Sequence, residues 1–150
     1  MSTRKQIIIS ITQDLVDEYN SYFFKNNPRC KKQRIESPLC INFNAYNSKG
    51  NRIIQNNYKQ NWKSFILWIC DKQNISNMNI TDCSIHCHFT YPTRIRHDLD
   101  NSLSTTLKFT QDALVDSKVI SEDTYTILKK ISATAEYKKG VKQTDIIITY

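Results

Sequence analysis

The cleanest alternation of apolar and polar residues in the chain runs from Cys83 to Tyr91. Ile85, Cys87, Phe89 and Tyr91 fall on one side of an extended backbone, and Ser84, His86, His88 and Thr90 on the other, which predicts a β-strand. Pro92 cannot continue a ladder and ends it. Ile7-Ile8-Ile9-Ser10-Ile11 is strand-like but apolar on both faces, and predicts an interior strand. Residues 39–46 predict another, closed by a turn at Asn47-Ser48-Lys49-Gly50. Residues 131–138 and 145–150 predict two closing strands, with Gly140 in the hairpin between them.

Elsewhere the period lengthens. Leu15, Val16, Tyr19, Tyr22 and Phe23 recur at helical spacing and predict an amphipathic helix from Gln13 to about Phe24. Trp62, Phe65, Ile66 and Ile69 share one face of a longer helix over residues 57–72, with Lys59, Lys63 and Asp71 off it. Leu103, Leu107, Thr110 and Leu114 mark a helix after Asn101, and Ser121 is suited to cap a further turn or two. Residues 26–38 hold two prolines with Arg29, Lys31, Lys32 and Arg34, a basic loop. Strands joined by a hairpin and by helical crossovers predict an α+β fold, a mixed sheet with helices packed on it, in a single domain over residues 1–150.

Composition narrows the function classes. No apolar run approaches the ~20 residues needed to span a bilayer, and the apolar stretch after Met1 is too short for a secretory signal, so an intracellular, cytoplasmic protein is expected. The wealth of Asn, Ile and Lys suggests an AT-rich genome, viral or mobile. Cys30, Cys40, Cys70, Cys83 and Cys87 are an odd set without a Cys-x-x-Cys pair, expected to be reduced thiols. With only Gly50 and Gly140, no Walker loop or dinucleotide fingerprint can be built, so no nucleotide cofactor of those kinds is expected.

The formal charge of +7 coexists with an acidic cluster over residues 98–123: Asp98-Leu99-Asp100-Asn101, Lys108, Asp112-Ala113-Leu114 and Glu122-Asp123. A basic protein attracts polyanions, while clustered acids repel phosphate unless a cation lies between them. If the backbone is extended there, Asp98 and Asp100 point the same way and can share a hard cation such as Mg²⁺. Bland roles stand beside this. Asp98 can cap a helix, Ser121-Glu122-Asp123 suit a first helical turn, and Lys108 can pair with Asp112. His86 and His88 form His-x-His, but Cys87 faces away and no closed zinc set results. His97 adjoins Asp98 and suits a phosphate contact or proton transfer. Arg94 and Arg96 flank the acids, and with Lys31, Lys32 and Lys108 they are the expected DNA contacts.

This ordered string resembles the RusA family of Holliday-junction resolvases: a strand, a basic turn, Asp-x-Asp-Asn, a helical lysine, Asp-Ala-Leu and a final acidic pair. The likeness covers about residues 80–150, while the first half shares only element order. It departs from the pattern at Ser104, where the family's lysine usually stands, so Lys108 takes that role across four inserted residues. It departs again at Glu122, an aspartate in the family, and in lacking a clear N-terminal proline- and asparagine-containing loop. The resemblance implies a Mg²⁺-dependent endonuclease (with Mn²⁺ as a substitute) that resolves four-way DNA junctions in recombination and repair. Asp98, Asp100 and Asp123 would hold the metal, with Glu122 behind them. Lys108 would stabilise the transition state, Asn101 would orient a carboxylate or cap the helix, and the ends left would be 5′-phosphate and 3′-hydroxyl. Two opposed cuts imply a homodimer. The rival readings are a nuclease of the same fold acting on other branched DNA or RNA, and a non-catalytic binder of DNA structure.

Overall fold

A computed structural model describes residues 3–150. Four strands, β1 (Gln6–Ile11), β2 (Cys83–Tyr91), β3 (Leu128–Tyr137) and β4 (Gln143–Thr149), form one mixed sheet in the order β1-β4-β2-β3. β4 is antiparallel to both β1 and β2, whereas β3 is parallel to β2. Helices α1 (Gln13–Asn26), α2 (Phe43–Ser48), α3 (Arg52–Lys72) and α4 (Leu99–Asp116) complete an α+β domain. Ile9, Ile11, Ile85, Cys87, Phe89, Ile146 and Ile148 from one sheet face pack with Val16, Phe65, Ile66, Ile69 and Leu114 from the helices.

Several expectations are corrected. β1 is an edge strand rather than an interior one: it pairs only with β4, and Ile8 is 51% exposed while Ile7, Ile9 and Ile11 point inward. Residues 39–46 form no strand. They cross the end of the sheet, and Asn42 caps α2 by accepting a hydrogen bond from the Ala45 N–H at 2.8 Å. Asn51 caps α3 in the same way through Ile53, so that helix starts at Arg52, before residue 57. β3 and β4 are no hairpin, because β2 lies between them. Their connection crosses the end of β2, where Lys138 N–H donates to the Tyr91 carbonyl and Gly140 N–H to that of Pro92. Gly140 adopts φ +72°, the left-handed region glycine enters freely. No helix begins at Ser121; a turn at residues 124–127 leads directly into β3.

β2, α4 and β3 form a crossover unit in which α4 runs back along the sheet. α3 lies beside α4 in the same direction, with Lys59 paired to Asp112 and Lys63 to Asp116. Between these ion pairs the buried Trp62 indole N–H donates to Thr110 Oγ1 at 3.2 Å. Among the described residues, no helix is long and apolar enough to cross a membrane.

Candidate active site

The acidic motif sits where β2 gives way to α4, at the carboxyl end of the strand, the usual place for sites in crossover units. Asp98 occupies the N-cap position with extended backbone, and Leu99 and Asp100 are already helical. The two carboxylates therefore share the open start of α4 instead of one face of an extended strand, because helical residues turn by about 100° each. Asp98 makes no capping hydrogen bond. Its Oδ2 accepts from Asn101 Nδ2 at 3.3 Å. Both aspartates are exposed, so the capping role open to Asp98 is not the one it takes.

The basic turn folds back onto the sheet. The His97 ring stacks on Tyr91, and Arg94 lies over the Tyr137 ring at 4.9 Å. Tyr91 hydroxyl and Ser102 Oγ are 2.5 Å apart, tying the end of β2 to the first turn of α4. Burial pushes the Tyr91 hydroxyl pKa up, opposed by that hydrogen bond. Tyr91 and His97 form a wall between two recesses. One, of about 130 Å³, is lined by Leu39, Cys40, Asn42, Phe89 and Ser102 on its other sides. The second, about 340 Å³, is bounded by Thr93, Arg94, Ile95, Glu136 and Tyr137.

Lys108 is exposed on α4, eight residues past Asp100, or ~12 Å along the axis. Helical side chains lean toward the N-terminus, the end of α4 at which the two aspartates lie. Asp112 is bound by Lys59 at 3.1 Å and is not its partner. Ser104, one turn past Asp100, spends its hydroxyl on the Asp100 carbonyl at 2.6 Å.

Asp123 is not brought to the other two aspartates within one chain. The segment following α4 runs beside the approach to β2: Asn77, Asn79 and Ile80 donate to the carbonyls of Ser117, Lys118 and Val119, and Ile80 bridges Ile120. Asp123 and Glu122 thus lie at the start of β2, with the nine-residue strand between them and Asp98. That length is ~26 Å at about 3.3 Å per residue. Among the described residues no group of three or more His, Cys, Asp and Glu side chains is placed to hold a metal ion.

Lys31 and Lys32 are exposed in the loop beyond the end of α1. Their loop is held by a residue that periodicity alone did not mark. Buried Asn20 accepts from the Arg34 and Ile35 N–H groups at 2.9 and 3.0 Å, and donates to the Ile35 carbonyl at 2.8 Å. The loop rejoins the site at Pro38, whose carbonyl accepts from Thr144 Oγ1. Leu39, Cys40 and Asn42, expected in a strand, instead line the smaller recess from an irregular segment. His86 and His88 bond to Ser132 and Thr134, and His88 Nε2 lies 3.3 Å from Glu136, a hydrogen-bonded polar ladder across β2 and β3.

The chain matches no protein-family profile and no curated protein sequence. Its donor set fits a hard cation that keeps most of its water, since Asp98 and Asp100 offer carboxylate oxygens only. Arg94 and Arg96 precede them, exposed, in the turn that leads into α4.

Proposed function

We propose that this chain is a RusA-like, Mg²⁺-dependent endonuclease that cuts four-way DNA junctions by paired nicks. The observation that carries the reading is the pair Asp98 and Asp100: exposed, free of capping duty, and set at the open start of α4 beside a basic turn. Such acids on a protein of charge +7 have little purpose in binding polyanions unless a cation intervenes. Bound there, Mg²⁺ (or Mn²⁺) supplies an activated water and neutralises phosphoryl charge. Asp98 and Asp100 hold the cation, and Asn101 orients Asp98. Arg94 and Arg96 hold the backbone phosphates on either side, with Lys31 and Lys32 as more distant contacts that carry no sequence information. Lys108 approaches from α4 to stabilise charge developing on the leaving oxygen.

The test is a synthetic four-way junction and a linear duplex, each incubated with the protein with and without Mg²⁺. Symmetric nicks on the junction alone, abolished by Asp100→Asn, are expected. Equal cutting of both substrates would identify a general nuclease. Junction binding without any cutting would identify a DNA-structure binder.

A further inference from the structure

We propose that His86 and His88 form a separate metal site, on the sheet face turned away from the helices, which takes a transition-metal cation of the zinc class. The site stands apart from the acidic motif, and the inference is independent of the nuclease reading.

The two histidines flank Cys87 on β2, whose side chain is buried in the core, so both rings stand half-buried on the opposite face. They converge on one point. His86 Nε2 and His88 Nδ1 lie 2.8 and 2.6 Å from the same atom, Thr134 Oγ1, which β3 sets directly beside His88. The other nitrogen of each ring is already engaged. His86 Nδ1 lies 2.7 Å from Ser132 Oγ, and His88 Nε2 lies 3.3 Å from a Glu136 carboxylate oxygen. A carboxylate only accepts, so His88 carries its proton on Nε2 and turns the Nδ1 lone pair toward the shared point. The Ser132 hydroxyl accepts as readily as it donates, so His86 can present Nε2 in the same manner.

Ligating imidazoles have this arrangement: one nitrogen faces the metal, and the other is held by a polar partner that fixes the ring and raises its basicity. Thr134 is exposed, and turning its side chain about one bond vacates the shared point. A zinc ion there requires each nitrogen to draw in by less than about 1 Å, to the ~2.0–2.1 Å of a Zn–N bond. Imidazole suits zinc, nickel and copper(II), whereas Mg²⁺ and Ca²⁺ take oxygen ligands. Glu136 on one side and Asp145, opposite His88 on β4, flank the pair with negative charge that favours a cation. The described residues supply no third His, Cys, Asp or Glu to close the shell, so water fills the remaining positions and the ion stays exchangeable. Both outer partners belong to β3, so an ion held by β2 also fastens the edge strand beside it.

Calorimetric titration of the untagged full chain with Zn²⁺, in excess Mg²⁺ to compete for oxygen ligands, tests the site. Wild type should bind one Zn²⁺ per chain. Glu136→Gln should weaken binding by about tenfold, the usual effect of losing an outer partner, and His86→Ala and His88→Ala by more. Thr134→Val removes the hydroxyl that the ion displaces and should bind at least as tightly as wild type. His97→Ala and Cys30→Ser should bind as wild type does. Zn²⁺ should raise the unfolding midpoint of wild type but not of His88→Ala; midpoints without metal identify the variants that are folded. The site is overturned by a wild type that binds no Zn²⁺, or by undiminished binding in folded His86→Ala, His88→Ala or Glu136→Gln. Loss of binding in folded Thr134→Val, His97→Ala or Cys30→Ser overturns it equally. Cleavage is not the readout, so failure of the nuclease reading leaves this result standing.

Discussion

The His97 ring lies flat on that of Tyr91, with centroids 4.0 Å apart and planes at 9°. Tyr91 ends β2 and His97 precedes Asp98, so the stack fixes where the acidic motif begins relative to the sheet. His97→Ala should cost about 0.5–1.5 kcal/mol of stability, the usual worth of an aromatic pair. It should weaken junction binding more than that loss explains, because the basic turn is then untethered. Thermal unfolding and junction titration of the same preparation separate the two effects.

Asp98→Asn and Asp100→Asn should leave stability within ~0.5 kcal/mol of wild type, as expected of exposed positions. Neither side chain is buried, and Asp98 makes no capping bond. Metal-dependent cleavage should nonetheless be lost in both. Unfolding curves measured beside cleavage assays check this; a large stability change would mean that the carboxylates serve the fold.

Lys108 is free to act at a distance because its neighbour Asp112 is engaged by Lys59. Lys108→Ala should slow cleavage while leaving the unfolding midpoint unchanged. Adding Ser104→Lys, which puts an amine one turn beyond Asp100, should recover part of the rate. No recovery, with the fold intact, would place the functional cation elsewhere.

Asn20→Ala should destabilise the protein by about 1–3 kcal/mol, because the Arg34 and Ile35 amides lose their acceptor. Residues 27–38 should then exchange amide hydrogens faster, while α3 keeps its protection. Loss of protection across the whole molecule would show that Asn20 anchors more than this loop.

Alkaline pH should unfold the protein early. Burial pushes the Cys87 and Cys40 thiols up to about 12 and Cys70 up to about 11, from an ordinary 9.0. Hydroxyls of Thr105 and Thr106 partly oppose the shift at Cys40. Above pH 9 an unfolded chain ionises these thiols and the native chain does not, so the native state holds more protons and its stability falls with pH. The contribution is complete below about pH 9 and is lost as pH climbs toward 12. The unfolding midpoint should decline across that window, less steeply in Cys87→Ala.

Periodicity was informative where one face of an element meets the core. β2 matched residue for residue, because alternate burial of Ile85, Cys87 and Phe89 leaves a period of two. The apolar faces of α1 and α3 were legible for the same reason. It misled where neighbours decide. Ile8 is as apolar as Ile7 and Ile9, but it points to the sheet face away from the core and is left exposed. Residues 39–46 carry β-prone side chains, yet Asn42 provides a helix cap there and α2 forms.

The chemistry divides along the same line. Residue types and their order are written in the chain: two aspartates preceded by arginines, a lysine further on, and a last acidic pair, on a basic chain. Only the tertiary structure decided their placement. Order along a chain does not specify which strand edges meet or which way a crossover helix runs. α4 returns along β2, so Asp98 and Asp100 stand at one end of the sheet and Asp123 at the other. The insertion of β2 between β3 and β4 leaves β3 at the edge of the sheet, a placement no run of residues along the chain announces.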